Sequence, residues 1–106
     1  MKVFISQPMR NKSREEILNS RAAAKRILEN YYSAPIEIID SFIEDSEDKT
    51  PVYLLGQAIS KMADADLVLL FDDVFEYSGC RIEYEVAIEY KIPTVFLSAI
   101  QGGAVV

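Results

Sequence analysis

Short apolar runs alternate along the chain with longer segments whose apolar residues recur every three or four positions, the signature of strands alternating with helices. Lys2–Ile5 (KVFI) reads as a strand and stops at Ser-Gln-Pro, because proline cannot donate to a ladder and restricts the residue before it. Ser13 with Glu16 three residues on is a capping box. Ile17, Ala24, Leu28 and Tyr31 carry that helix to about Tyr32. Ile36–Ile39 is a second short strand ending at Asp40, followed by an acid-rich loop. Thr50-Pro51 predicts a capped helix start with proline in the first position. Its buried stripe is Val52, Leu55, Ile59 and Met62, closing near Ala63. Asp66–Phe71 is an apolar run without alternation, as a central parallel strand covered on both faces requires. A third helix is predicted over about Gly79–Tyr90, a fourth strand over Pro93–Leu97, and a loose tail from Gln101.

The order β-α-β-α-β-α-β predicts an α/β fold of three layers, a flavodoxin or Rossmann-like parallel sheet with helices on both faces. The 106 residues suit one domain with no room for a second core. Such folds bind ligands beyond the carboxyl ends of their strands, near a topological switch point. Four segments should meet there: Ser6–Lys12, Asp40–Phe42, Asp72–Gly79 and the first turn of the third helix.

Composition narrows the chemistry. A net charge of −6 argues against a nucleic-acid polymer or an anionic membrane as main partner, although local basic residues can hold one phosphate. One cysteine and no histidine leave a zinc site short of its usual ligands and exclude any triad with an imidazole base. No apolar run is long enough to cross a membrane and MKVFISQPMRNKS lacks a signal-peptide core, which points to the cytoplasm. There is no G-x-G-x-x-G and no P-loop.

Glu83 is the most informative residue. At 100° per residue, Gly79, Val86, Ala87 and Tyr90 fall near it on the core-facing arc, while Arg81, Glu85 and Glu89 fall opposite. An inward carboxylate is costly unless it has partners or lines a cavity. Either Glu83 bends out to water or an arginine, or it is a site carboxylate beside the mouth, with Asp72 or Asp73 in reach. In the second case a nearby aspartate and partial burial should both raise its pKa. Asp72, Asp73 and Asp40 follow strands at the ligand-binding end and serve equally well as turn residues. Ser78-Gly79 can hold a phosphate, or Ser78 can simply cap its helix. Ser6, Gln7, Pro8, Met9, Arg10, Asn11 and Lys12 form a loop that either contacts substrate or is solvated. Cys80 reads as a buried thiol rather than a nucleophile.

KVFISQPM, ADLVLLF and SGCRIEYEVAIEYKIP together resemble the nucleoside 2-deoxyribosyltransferase-like superfamily, in particular its short bacterial and phage members, over nearly the whole chain. The resemblance implies that Glu83 is the nucleophile attacking the anomeric carbon, with Ala87 as the alanine four residues on. It also implies that Asp72 or Asp73 assists the leaving base or a sugar hydroxyl, and that Ser78 holds a phosphate where the substrate is a nucleotide. Arg81 and Glu85 stand where the enzymes of the superfamily have glycine. Two functions follow as expectations. The first is cleavage or transfer at the N-glycosidic bond of a nucleoside or nucleotide, chemistry that needs neither metal nor cofactor. The second is a non-catalytic module that binds or sequesters a nucleotide-derived small molecule. Relatives commonly form dimers or larger assemblies, so a homo-oligomer is expected.

Overall fold

The computed structural model describes residues 1–41 and 49–101. The predicted acid-rich loop from 42 to 48, with Phe42, and the tail from 102 onward lie outside the described residues. Four strands, β1 (Lys2–Ser6), β2 (Glu37–Ile38), β3 (Leu67–Leu70) and β4 (Thr94–Phe96), form one parallel sheet in the order β2-β1-β3-β4. Between them run α1 (Arg14–Tyr32), α2 (Pro51–Met62) and α3 (Ser78–Glu89), with a short helical turn α4 (Leu97–Ile100) after β4. The fold is therefore the three-layer parallel α/β architecture that the alternation predicts. Among the described residues, no helix is long and apolar enough to cross a membrane.

Strand pleating divides the core into two halves. Val3, Ile5, Leu67 and Leu69 pack on one face against Ala24 and Leu28 of α1 and Ile100 of α4. Phe4, Val68 and Leu70 pack on the other against Met62 of α2 and Cys80 and Ala87 of α3. The split follows from crossover handedness. The chain steps one way from β1 to β2 and back across β1 to β3, so right-handed connections put α1 opposite α2 and α3. β1 and β3 pair in register from Val3 with Leu67 to Ser6 with Leu70. Loops leave their carboxyl ends in opposite directions, which opens a crevice between them.

The local signals hold at the helix starts. The Ser13 hydroxyl accepts from the Glu16 amide at 3.1 Å and the Glu16 carboxylate from the Ser13 amide at 3.4 Å. Thr50 accepts from the Tyr53 amide at 3.2 Å, with Pro51 in the first turn. Other expectations are corrected. β4 stops at Phe96, and Leu97–Ile100 turns helically so that Ile100 reaches the core beneath α1. Ser78 lies inside α3 rather than capping it; Tyr77 occupies the cap position without a side-chain bond. Tyr31 is exposed and Tyr32 packs on the core instead, while Tyr90 points outward at 75% exposure. Val52 is also 75% exposed, because the first turns of α2 overhang the crevice instead of the sheet. Phe75, in the short 3-10 turn Val74–Glu76, meets the Tyr84 ring edge-on at 5.1 Å and braces the approach to α3.

Candidate functional site

A cavity of about 960 Å³ opens at the carboxyl end of the sheet. Its walls come from the loop after β1, the overhanging turns of α2 and the first turns of α3. One side is apolar, with Ile17, Leu54, Leu55 and Ala58; the edge carries Arg10, Lys12, Arg14 and Arg81. Four of the chain's eleven basic residues thus surround one opening in a protein of net charge −6, which makes the edge locally favourable to an anion.

The interior chemistry is concentrated in one cluster. Among the described residues four polar side chains are buried, Ser6, Gln7, Arg21 and Ser41. Ser6 contacts Glu83 directly, and Gln7 and Ser41 hold Arg21, whose charge acts on Glu83. Ser6 is the last residue of β1 and shares the face of Phe4, so its hydroxyl points toward α3 and donates to Glu83 Oε1 at 2.7 Å. Gln7 follows on the opposite side of the chain, toward α1, where its Oε1 accepts from Arg21 Nε at 2.7 Å. Arg21 Nη2 donates to Ser41 Oγ, just beyond β2, at 2.8 Å. Two sets of hydrogen bonds thus meet at the end of β1, Ser6 with Glu83 on the α3 side and Gln7–Arg21–Ser41 on the α1 side.

Burial raises the Glu83 pKa above its ordinary 4.5, while the Ser6 hydrogen bond and the Arg21 charge pull it back. Burial lowers the pKa of Arg21, and the charges of Asp40 and Glu83 work against that loss. Burial likewise pushes the Cys80 thiol up to about 11, against a lowering contact with Ser6 and with further raising by Glu83 and Asp73. Cys80 is the inert buried thiol that its sequence context suggests. Among the described residues, no group of three or more Cys, Asp or Glu side chains is gathered to hold a metal ion.

The predicted residues separate into three sets. Gln7, Pro8, Met9, Ser78, Gly79 and Glu83 line the cavity, and Ser6 stands behind Glu83. A Cβ added at Gly79 would meet Leu55 Cδ1 at 3.9 Å, an ordinary contact, so packing does not demand that glycine. Asn11 is exposed and outside the lining. Its φ of 62° serves the Met9–Lys12 turn, closed by the Lys12 amide on the Met9 carbonyl at 3.2 Å. Asp40 is exposed; its charge is felt by Arg21 and its carbonyl accepts from Lys61 Nζ at 2.8 Å. Asp72 and Asp73 are exposed and outside the cavity. Asp72 Oδ1 accepts from Ser98 Oγ at 2.6 Å, toward β4 and α4. The expectation that a nearby aspartate raises the Glu83 pKa is corrected: burial does so, and among the described residues no aspartate contributes.

Arg21 is the site residue that sequence reasoning missed, and Ser41 falls within the predicted segment Asp40–Phe42 without having been singled out. The signal for Arg21 was present, since it lies four after Ile17 and three before Ala24 on the buried stripe of α1. Ser41 carries no comparable local signal. No family model, no curated protein and no solved structure matches this chain.

Proposed function

We propose that this protein cleaves or transfers the N-glycosidic bond of a nucleoside or nucleotide, with Glu83 as nucleophile. The observation that carries the reading is a largely buried carboxylate lining the cavity, bonded by the buried Ser6 hydroxyl and under the charge of the buried Arg21. With Oε1 engaged by Ser6, attack falls to Oε2. Its lone pair forms a bond to the anomeric carbon as the C–N bond breaks; the bonding pair leaves on the base nitrogen, which takes a proton from water. A second water, or a second base, then attacks the anomeric carbon of the glycosyl ester, loses its proton to solvent, and releases Glu83 as a carboxylate as the C–O bond breaks. A carboxylate suits this path because the intervening state is oxocarbenium-like and cationic. The apolar wall of Leu54, Leu55 and Ala58 offers a surface for a planar base, and the basic edge favours a 5′-phosphate.

The second reading is binding without turnover. It is favoured by Arg81, a bulky side chain in the cavity lining where the superfamily's enzymes have glycine, with Nη1 held on the Phe75 carbonyl at 3.1 Å. Incubation with ribo- and deoxyribonucleosides and their 5′-monophosphates, with chromatography of free base, separates the two. Base release should fall on the order of a thousandfold or more in Glu83→Gln. It should be nearly unchanged in Glu85→Ala, whose side chain is exposed and outside the cavity. Ligand-induced thermal stabilisation without base release would replace the first reading by the second.

A further inference from the structure

Arg21 is the single buried charged residue among the described residues, yet it is not part of the cavity lining. Burying a guanidinium is costly, and two neutral hydrogen bonds to Gln7 and Ser41 only partly replace its hydration. Further compensation comes from the negative charges of Asp40 and Glu83. A long basic side chain on α1 would ordinarily extend to water. Here it is instead drawn inward between the ends of β1 and β2, into a planar fork that lysine cannot reproduce.

We propose that Arg21 is a positioning residue for Glu83: clamped on Gln7 and Ser41, its guanidinium locks the ends of β1 and β2 to α1 and holds a fixed positive charge beside the Glu83 carboxylate. That this serves catalysis rests on the reading of Glu83 as nucleophile; that the Arg21 charge, after burial and the Ser6 bond, bears on the ionisation of Glu83 does not. The groups facing this pair are Ser6 on β1, Asp40 after β2, and Cys80 on α3, with Asp73 acting on Cys80 from the preceding turn. A buried arginine with a packing role alone would leave the titration of Glu83 unmoved.

The test is carboxyl NMR on the full chain labelled at glutamate Cδ, with the Glu83 signal assigned by its loss in Glu83→Gln. In Arg21→Met the Glu83 midpoint should rise above its wild-type position, because a lowering charge is removed. In Arg21→Lys, where charge survives without the fork, it should rise less. A folded Arg21→Met with the wild-type midpoint overturns the proposal. Should Arg21→Met fail to fold, the wild-type Arg21 Nε resonance decides. It should show a step at the Glu83 midpoint that vanishes in Glu83→Gln and persists in Asp40→Asn; a resonance with no such step overturns the proposal. Absence of base release with every nucleoside and nucleotide would defeat the glycosidic reading and leave these titrations standing. If base is released, the acid limb of its pH profile should move upward in Arg21→Met together with the NMR midpoint.

Discussion

Ser6→Ala removes one hydroxyl from a fully buried position and deprives Glu83 of its 2.7 Å donor. A hydrogen bond to a charged acceptor contributes about 1.5–3 kcal/mol, and one to a neutral acceptor about 0.5–1.5 kcal/mol. The variant should therefore lose about 2 kcal/mol where Glu83 is ionised and about 1 kcal/mol where it is protonated. The direction with pH follows from linkage. The folded pKa of Glu83 lies above its ordinary 4.5, so between those values the folded chain binds more protons than the unfolded one. Stability consequently falls as pH rises through that window and stays lower above it. Losing the Ser6 bond raises the folded pKa further, which widens the window and deepens the loss at neutral pH. Urea unfolding followed by circular dichroism, at pH 7 and below pH 4.5, measures this directly. With an m-value of about 1.2 kcal/mol/M, the neutral-pH cost displaces the midpoint by roughly 1.7 M. An equal cost at both pH values would refute the reasoning, as would an undiminished cost in a Glu83→Leu background, where no carboxylate remains to be paired.

Leu28→Ala should cost about 2–5 kcal/mol in the same urea assay, because Leu28 is fully buried between α1 and the Val3 face of the sheet and the backbone cannot collapse around the gap. Cys80, with its thiol pushed up to about 11, should resist alkylation by iodoacetamide at pH 8 in the folded protein and react at the rate of a free thiol once urea unfolds the chain; equal rates would show that the thiol is not shielded.

Much of the architecture is written in local pattern. The capping residues Ser13 and Thr50 set the starts of α1 and α2, since a side-chain oxygen three residues from an orphan amide needs no help from the rest of the fold. The unbroken apolar run of β3 demands cover on both faces, and helices between strands force parallel pairing. Glu83 was legible for the same reason: a helix fixes the angle between residues, and Ala87 and Cys80 mark the buried side. Angle alone does not name the opposing group. Ser6 is 77 residues from Glu83, and the two meet because β1 runs beneath α3. Asp72 sits at the expected end of the central strand, but a hydroxyl 26 residues later turns it toward α4 and away from the cavity. Arg21 stood on the buried stripe of α1, where a long charged side chain ordinarily reaches solvent. Only the assembled layers, which bring Gln7, Ser41, Asp40 and Glu83 around it, supply the hydrogen bonds and charges that keep it inside. Backbone geometry and burial are settled over a few residues; the ionisation of a buried carboxylate depends on charges and donors that only tertiary packing brings within reach.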